Sequence, residues 1–412
     1  MKPKILWNAK DHPSLNSGYG IVGGHLLPLL GDHYGRENII IYAPVYQKDS
    51  IGSWEGLKVV SGTEFSFGEN MILDHYQEYN CNLLLMVGDT GPLGIVPDLP
   101  AQDKILWVQW IPVDWLGMSK NVINRISPAY KLVSFSKYGE ASLRKAGLNN
   151  VAKAIWVGLD TSVWKPLPRE RFPQIMSSLG FGMESFNVLL VGANQERKRI
   201  RHQLEAISLL KKVHPEIPLR LYLHTLVVGE RDLRADLDEL GIVELVVYPD
   251  QYIMTQGGFP EDVMVRIYNC ADVVLNVCME GFGLSQTQAQ ACGVPVIVLS
   301  EGAGPELASF GYEIPPIGSE TSAHQQTIPI PNVVAITRCL EDSWEKRKQK
   351  GSPLRSEPAI KFIQDNFSWN KIASQWVEVI DEAMGDRERF CMQIPATAEW
   401  LDTKARTLVE LS

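Results

Sequence analysis

The segment "MEGFGLSQTQAQACGVPVIV" places a glutamate, Glu280, in a Gly-Phe-Gly turn directly before a helical pattern. The preceding run "DVVLNV" reads as a strand, so the turn joins the carboxyl end of a strand to a helix N-terminus. Gly281 and Gly283 allow positive φ angles and a close approach to the backbone. The first amides of the helix lack intrahelical partners and lie at the positive end of its dipole. The pattern predicts an anion site suited to a diphosphate, with Glu280 reaching attached hydroxyl groups; a plain turn with a surface glutamate is the alternative.

A cationic loop in "VLLVGANQERKRI" could supply the other half of that site. A strand pattern ends at Gly192, and Arg197, Lys198 and Arg199 follow before the next helical pattern. Cations at a helix start oppose its dipole unless an anion offsets them. Such side chains can clamp a diphosphate. Lys198 is the strongest candidate, and a solvated basic face is the alternative.

Two segments of the first half add candidates. The segment "HPSLNSGYGIVGGHLL" predicts a small-residue loop after the first strand, in which Gly18 and Gly20 could bring backbone amides to a ligand. A simple tight turn is the alternative. His12 lies beside this loop, where a ligand contact and a surface-turn histidine are equally consistent with the sequence. The segment "WIPVDW" places Asp114 where a strand leaves its sheet, and the alternative there is a helix cap or turn residue.

The candidates sit within an alternation of short apolar runs and helical patterns. The runs that predict strands are "KILWNA", "NIIIYAP", "NLLLMVGD", "KILWVQWIP", "KLVSFS", "VAKAIWVG", "NVLLVG", "LRLYLHT", "VELVVYP", "DVVLNV" and "PVIVL". Apolar strands separated by helices indicate parallel sheets covered on both faces. Proline and charge interrupt the pattern at about 160–185, which predicts a linker, and the stretch after residue 300 is less regular. We therefore expect two doubly wound α/β domains whose strand carboxyl ends line one cleft.

Composition excludes several classes of protein. The 412 residues exceed one ordinary core, and the 45% hydrophobic and 21% charged fractions are those of a folded globular chain. No apolar run reaches the ~18–20 residues that span a bilayer, and the N-terminus shows no signal-peptide pattern, so a cytoplasmic protein without a transmembrane segment is expected. The net charge of −9 argues against a nucleic-acid partner. The six cysteines lack zinc-type spacing and predict reduced thiols.

No metal site is predicted. Asp236 and Asp238 form the one Asp-x-Asp, in a charged helical pattern that favours a solvated face. The histidines show no ligand spacing. The tail "TAEWLDTKARTLVEL", with Trp400 and Leu401, predicts packing or a partner contact rather than a membrane anchor, because acidic residues interrupt it.

The stretch "EGFGLSQTQAQACGVPVIVLSEGAGPEL" resembles the signature of the retaining nucleotide-sugar glycosyltransferases of glycosyltransferase family four (glycosyl transferases group one). The similarity extends through most of the chain and includes "GYG", "IPVDW", "SFSKYGEASLRKAGL", "IWVGLDTSVWKPL", "GANQERKR" and "FSWNKIASQW". The resemblance implies the α/β GT-B fold, with two Rossmann-like doubly wound domains facing a central cleft. We expect an N-terminal acceptor-side domain at 1–165, a nucleotide-sugar donor domain at 166–365, and C-terminal helices at 366–412 that pack back toward the N-terminal domain.

The resemblance also implies a role for each candidate residue. Glu280 would bind the donor sugar's hydroxyls beside the reacting carbon, Lys198 would neutralise the diphosphate leaving group, and Asp114 would contact the sugar or acceptor. The reaction would retain the anomeric configuration without metal or cofactor, the departing phosphate taking the acceptor's proton, and would need no pair of catalytic carboxylates. The residues expected to bind the donor are Gly18, Tyr19, Gly20, Asn194, Arg197, Lys198, Glu280, Gly281, Phe282, Gly283, Leu284 and Gln288.

Two positions depart from the family pattern. Gln288 stands where a second glutamate usually grips the ribose hydroxyls of the nucleotide. An amide can still accept and donate hydrogen bonds, but losing the charge costs on the order of 1–2 kcal/mol of donor affinity. Ala193 stands where an arginine is common, so Arg197 or Arg199 would reach the phosphates instead.

The leading hypothesis is therefore a retaining transfer of a hexose from a UDP- or GDP-sugar to a hydroxyl acceptor. One alternative is a catalytically weakened GT-B protein that binds nucleotide sugar or glycan without transfer, and another is a sugar-nucleotide epimerase. The acceptor would be recognised by variable loops at about 45–75 and 88–100, whose sequences follow no general rule. The donor base, the acceptor, which could be a glycan or another hydroxyl compound, and the oligomeric state stay open.

Overall fold

The computed structural model describes residues 2–43, 51–61, 71–88, 105–322 and 326–393. They belong to two compact units. Unit 1 consists of Met1–Val113, Gly117–Gly158 and Trp369–Ser412, and unit 2 of Asp114–Leu116 and Leu159–Ser368. Of the loops expected to read the acceptor, the one at about 45–75 falls partly and the one at about 88–100 almost entirely outside the described residues, and the tail with Trp400 and Leu401 does so entirely.

Unit 1 contains a mostly parallel sheet. Its strands are β1 (Ile5–Ala9), β2 (Ile39–Ala43), β3 (Ile51–Trp54), β4 (Leu57–Ser61), β5 (Leu83–Val87), β6 (Trp107–Ile111) and β7 (Lys131–Ser134). They form a seven-stranded sheet in the order β3-β4-β2-β1-β5-β6-β7, in which β3 and β4 pair antiparallel and the other neighbours are parallel. Glu55 and Gly56 both have positive φ, the geometry of a two-residue hairpin turn. The central strands are buried along their whole length, as their apolar sequences predict.

Helices accompany the strands of unit 1, and three of the four described below begin at serine caps. They are α1 (Gly18–Tyr34), α2 (Ile72–Glu78), α3 (Lys120–Ile126) and α4 (Lys137–Lys145). The hydroxyl oxygens of Ser17, Ser119 and Ser136 each accept from the amide three residues later, which fixes the starts of α1, α3 and α4.

Unit 2 contains an entirely parallel sheet. Its strands are β8 (Phe186–Val191), β9 (Leu219–His224), β10 (Val246–Val247), β11 (Val273–Asn276), β12 (Val296–Leu299) and β13 (Gly311–Ile314). The six-stranded sheet has the order β10-β9-β8-β11-β12-β13, so the direction of winding reverses between β8 and β11. A reversal of this kind leaves a crevice at the carboxyl ends of the two central strands, where doubly wound sheets bind ligands.

Nine α-helices and a hairpin complete the described part of unit 2. The helices are α5 (Pro173–Ser178), α6 (Ile200–Val213), α7 (Leu233–Glu239), α8 (Gln251–Thr255), α9 (Glu261–Cys270), α10 (Leu284–Ala291), α11 (Gly304–Leu307), α12 (Val333–Lys350) and α13 (Glu357–Asn366). A separate antiparallel hairpin consists of β14 (Pro316–Thr321) and β15 (Thr327–Pro331). The last described helix, α14 (Trp369–Gln393), belongs to unit 1.

Aromatic packing joins α14 to unit 1. Trp376 is fully buried and packs edge-to-face on Trp110, with 4.9 Å between ring centroids. The hydroxyl of Tyr34 donates to Asp381 Oδ1 at 2.9 Å. Such an aromatic pair adds about 0.5–1.5 kcal/mol beyond the burial of its area, so the end of the described chain is integral to the first unit.

One strand prediction is wrong and another holds only in part. The segment "VAKAIWVG" forms a single bridge, Leu132 to Val151, instead of a strand, and "VELVVYP" gives a 3₁₀ turn and only two strand residues. The stretch after residue 300, expected to be less regular than the rest, contains the four-residue strand β13 and the β14–β15 hairpin. These errors share a cause: an apolar run indicates burial, whereas strand pairing depends on a neighbour that the sequence does not identify.

Asp236 is also placed differently from the prediction. It is 3% exposed and bonds to Arg201 Nη1 and Arg231 Nε, each at 2.5 Å, instead of lying on a solvated face. Burial raises the pKa of this carboxyl, but the two arginines outweigh that effect and hold the pKa below its ordinary value. Within the described residues no group of three His, Cys, Asp or Glu side chains could hold a metal ion, and no helix is long and apolar enough to cross a membrane.

Candidate functional site

The site lies in unit 2, at the reversal of strand order. Strand β8 runs into the loop that contains Arg197 and Lys198, and the adjacent strand β11 runs into the turn that contains Glu280. The two strands pair in parallel, with Leu275 opposite Leu190. Both segments therefore leave the same edge of the sheet at neighbouring positions, which is why residues far apart in sequence meet there.

The turn after β11 is shaped by one glycine. Gly283 has φ of +97° and is the N-cap of α10, and a Cβ there would overlap the side chain of Gln286. Gly281, in the same described turn, has no positive φ, so of the two glycines that allow this conformation only Gly283 adopts it. Phe282 is buried and packs on Phe367 at 5.9 Å between ring centroids. No side chain in the described part of the chain caps α10, which leaves its first turn suited to an anion.

Four charged side chains meet beside this turn, and we call them the charge cluster: Lys198, Glu280, Arg197 and Asp114. Lys198 Nζ donates to Glu280 Oε1 at 2.5 Å. Arg197 Nη1 lies 3.0 Å from Asp114 Oδ2 and 3.8 Å from Glu280 Oε2. The side chains of Asp114 and Glu280 are only 6% and 10% exposed. The formal charges of the two cations and the two carboxylates therefore cancel, and both carboxylates are largely shielded from water.

The electrostatics of Glu280 follow from these contacts. Burial raises the pKa of its carboxyl, but the charges of Lys198 and Arg197 and the hydrogen bond from Lys198 outweigh burial and hold the pKa below its ordinary value. Glu280 is therefore an ionised hydrogen-bond acceptor at neutral pH. The neighbouring Cys278, whose Sγ lies 3.5 Å from Glu280 Oε1, is fully buried, and burial keeps the pKa of that thiol well above its ordinary value.

The β14–β15 hairpin holds one side of the cationic loop. Arg199 has φ of +50°, and its guanidinium donates from Nε to the carbonyl of Pro329 at 3.0 Å, from Nη2 to the carbonyl of Ile328 at 3.3 Å, and from Nη1 to Glu320. The amide of Leu116 donates to Thr327 O at 2.8 Å, which ties the segment of Asp114 to the same hairpin. Arg199 is therefore committed to the hairpin and is not part of the charge cluster.

Asn194 organises the other side of the loop. Its Nδ2 donates to the carbonyls of Leu226 and Arg231, at 3.0 and 2.7 Å, and Glu230 Oε2 accepts from the amide of Glu196 at 2.7 Å. The loop before α6 is thus held between two neighbouring segments. The expected contact of Asn194 with a donor stays a prediction.

Gln288 lies on α10 and is 7% exposed. Leu284 is the first residue of that helix, so Gln288 lies one turn further along. The expected contacts of Gln288 with the ribose and of the Leu284 backbone with the donor stay predictions.

Two polar side chains near the cluster have no place among the sequence predictions. Cys278 lies two residues before Glu280, a spacing that puts both side chains on one face of an extended segment. Gln203 occupies a core position of α6, between Ile200 and Leu204, which are also buried. A glutamine in the apolar stripe of a helix is the signal in the sequence that could have identified it.

The glycine segment of unit 1 forms the start of a helix instead of a loop. Gly18, Tyr19 and Gly20 are the first three residues of α1, and the hydroxyl of Ser17 already accepts from the amide of Gly20 at 3.1 Å. A Cβ at Gly20 would overlap the carbonyl oxygen of Leu15, so packing against the backbone explains this glycine. The predicted donor contacts of these three residues are untested and stay predictions.

His12 is buried instead of lying in a surface turn. Its Nδ1 accepts from the amide of Ser14 at 3.1 Å, and burial lowers the pKa of the ring. The imidazole is therefore neutral near pH 7, with its proton on Nε2.

Comparison with known proteins agrees with this architecture. Residues 185–321 match the family model of the glycosyl transferases group 1. A D-inositol 3-phosphate glycosyltransferase of Paenarthrobacter aurescens is 28% identical over 189 residues, which are 45% of this chain and 42% of that protein. The chain thus spans about two fifths of the length of that relative.

Solved structures are similar over nearly the whole chain. Sucrose-phosphate synthase from Thermosynechococcus elongatus superposes with a TM-score of 0.73 at 15% identity, covering 93% of this chain and 100% of that one. Anabaena Alr3699/HepE in complex with UDP-glucose gives a TM-score of 0.68 at 15% identity, covering 92% and 100%. The protein therefore has the α/β GT-B fold, built from two Rossmann-like units, and its second unit contains a segment that matches the glycosyl transferases group 1.

Proposed function

We propose that the protein is a retaining glycosyltransferase that moves a hexose from a nucleotide diphosphate sugar, a UDP- or GDP-sugar, to a hydroxyl acceptor. The observation that carries the proposal is the charge cluster at the strand-order reversal, with Lys198 2.5 Å from Glu280 beside the uncapped start of α10. A similar structure, Anabaena Alr3699/HepE, is in complex with UDP-glucose. The match to the glycosyl transferases group 1 covers both loops of the cluster.

The diphosphate would lie between the first amides of α10 and the side chains of Lys198 and Arg197. Its oxygens would replace the carboxylates of Glu280 and Asp114 as partners of the two cations, so that binding exchanges one set of charge pairs for another. As the glycosidic bond breaks, negative charge grows on the leaving diphosphate, and the cations stabilise that charge. This contribution needs no metal ion, because the positive charge comes from the chain itself.

Glu280, released from Lys198, would accept hydrogen bonds from hydroxyl groups of the donor sugar. A general acid of the hydrolase kind needs a raised pKa, whereas the pKa of Glu280 is lowered. This supports a binding role for the carboxylate. In the proposed reaction the acceptor hydroxyl attacks the anomeric carbon on the face that the phosphate leaves, and the departing phosphate oxygen takes the acceptor's proton. Asp114 would orient the sugar or acceptor.

A panel of UDP- and GDP-sugars tests the proposal. The purified protein should hydrolyse one donor slowly or transfer its sugar to an added acceptor, with the anomeric configuration of the product read by NMR. Lys198→Met should abolish turnover, while Lys212→Met, at an exposed position of α6, should leave it unchanged. Inverted product would refute retention, and absence of turnover with every donor, also in Gln288→Glu, would refute transfer.

One observation favours a second candidate, a protein that binds the donor without transferring its sugar. Gln288 is buried to 7% exposure where a charged partner for the ribose is common in similar enzymes, and Ala193 provides no cation. Calorimetry with the donor would then show binding, without turnover after any acceptor is added. A gain in affinity of roughly tenfold in Gln288→Glu would identify the ribose contact in either case.

A further inference from the structure

The side chain of Gln203 connects the two loops of the charge cluster. Its Oε1 accepts from the amide of Val277 at 3.2 Å, at the start of the turn that leads to Glu280. Its Nε2 donates to the carbonyl of Lys198 at 2.9 Å. Gln203 is 1% exposed, so both bonds are shielded from water. One amide group thus spans from the backbone of the cationic residue to the backbone of the glutamate turn.

This glutamine lies where helix packing alone would place an apolar residue. The neighbouring buried residues of α6 include Ile200, Leu204 and Ile207. A buried amide is costly unless its donor and acceptor are both satisfied. Here each end of the amide bonds to a main-chain group of a different loop, and neither bond involves another side chain. The amide therefore fixes two backbone segments, and with them the positions from which the side chains of Lys198 and Glu280 extend.

We propose that Gln203 is a positioning residue that sets the spacing between Lys198 and Glu280 and so prepares the site for a diphosphate. The inference rests on the proposed function. A diphosphate must touch Lys198 and the start of α10 together, and binding is tightest when these groups are already at the required separation. Without the amide, the Lys198 carbonyl and the Val277 amide lose their shared partner, and each loop can relax independently.

The test compares Gln203→Met with Gln290→Met. Gln290 is also fully buried and also joins separate segments, because its Nε2 donates to the carbonyl of Leu307 and its Oε1 accepts from the amides of Ser309 and Phe310. It therefore controls for the loss of a buried bridging amide that bonds to neither the Lys198 loop nor the Glu280 turn. Gln203→Glu is the second variant: it keeps the shape and the acceptor toward Val277 but removes the donor toward Lys198, and it guards against misfolding of Gln203→Met.

The measurement is the ratio of affinities for a nucleoside diphosphate and its nucleoside, by calorimetry on the full chain with UDP and uridine, GDP and guanosine, and ADP and adenosine. For the pair that binds the wild type tightest, Gln203→Met should lower the diphosphate affinity roughly tenfold and leave the nucleoside affinity unchanged. Gln203→Glu should lower the ratio in the same direction. Gln290→Met should leave the ratio unchanged, even where its thermal stability falls as much.

An unchanged ratio in both Gln203 variants would overturn this inference and leave the proposed function standing. An equal fall of the ratio in Gln290→Met would also overturn it, because loss of any buried amide would then suffice. A wild-type protein that binds none of the three diphosphates better than the nucleosides would remove the proposed function, and the inference with it.

Discussion

Replacing Lys198 by methionine isolates the most consequential contact in unit 2. The variant keeps the unbranched stem of the side chain but removes the ammonium group 2.5 Å from Glu280 Oε1. The two side chains are 14% and 10% exposed, so water screens the pair weakly. The remaining cation near Glu280 is Arg197, at 3.8 Å. Among the described residues, the substitution therefore leaves the buried carboxylate with Arg197 as its charged partner and with the weak hydrogen bond from Cys278.

The magnitude follows from the burial and the geometry. Breaking a buried ion pair by removing one partner costs about 3–5 kcal/mol, and we expect about 3 kcal/mol here because Arg197 offsets part of the loss. Glu280→Gln leaves the ammonium group of Lys198 without its carboxylate partner and should lower the free energy of unfolding by about the same amount. The double variant carries no unpaired charge at this position, so it should cost about 3 kcal/mol less than the sum of the singles.

The assay is thermal or urea unfolding of the four proteins at several pH values. In the wild type the pKa of Glu280 lies below its ordinary value of 4.5, so the contribution of this carboxylate is complete above pH 4.5 and is lost as the pH falls through the lowered value. Without Lys198 the pKa rises and the carboxyl takes up a proton at higher pH. The stability difference between wild type and Lys198→Met should therefore be largest near pH 7 and should shrink toward pH 4.5.

Additive effects of the two substitutions would refute this reasoning, because additivity means that the two charges do not interact. A stability difference that stays constant between pH 7 and pH 4.5 would refute the expected rise of the Glu280 pKa in Lys198→Met. Lys212→Met serves as control and should change the free energy of unfolding by less than about 0.5 kcal/mol.

Three further predictions concern other parts of the chain. Burial lowers the pKa of His224 from 6.5 to about 4, so the ring takes up a proton on unfolding between pH 6.5 and pH 4 and the wild type loses stability there. In His224→Gln this loss should be smaller by about 3 kcal/mol, as measured by calorimetry. Gly20→Ala should destabilise unit 1 by about 1–3 kcal/mol because the new methyl group overlaps the Leu15 carbonyl, whereas Gly385→Ala, in open space on α14, should stabilise it by about 0.5–1 kcal/mol. Arg199→Lys should lose about 2 kcal/mol and make the β14–β15 hairpin more sensitive to limited proteolysis, since an ammonium cannot reproduce the guanidinium's three contacts.

Each of these has a clear contrary result. Identical pH profiles for wild type and His224→Gln would show that this ring is not the group that titrates. Equal effects of the two alanine substitutions would remove the steric explanation for Gly20. An unchanged proteolysis pattern in Arg199→Lys would mean that the hairpin is held by contacts other than the guanidinium.

The sequence predicted the structure best where a residue type at a given position has a single physical explanation. Apolar runs between helical patterns predicted the parallel sheets, and the glutamate before a glycine turn predicted the site at the end of β11. The cationic loop was identified because positive charge at a helix start needs an explanation. Glu280 and Lys198 are in contact in the structure, although their roles in binding and catalysis stay predictions.

The sequence was least informative where burial depends on a distant partner. Asp236 lies in a pattern typical of a solvated helix face, and its burial is favourable because Arg201, from the preceding helix α6, joins the nearby Arg231 in pairing with it. In the same way, Arg197 and Arg199 are chemically identical and separated only by Lys198, yet one pairs with Asp114 and the other holds the hairpin. The backbone turn at Arg199, with φ of +50°, separates their directions, and no local pattern predicts that turn.

Membership of Asp114–Leu116 in unit 2 has a consequence for recombination. A chimera that exchanged only Leu159–Ser368 with a homologous chain would inherit Asp114 from one parent and Arg197 from the other. The 3.0 Å pair between these two residues would then survive only if both parents had compatible side chains at both positions. An ancestral exchange of unit 2 between homologous chains should therefore have included Asp114–Leu116, or should have been followed by a substitution that restored a partner for residue 197.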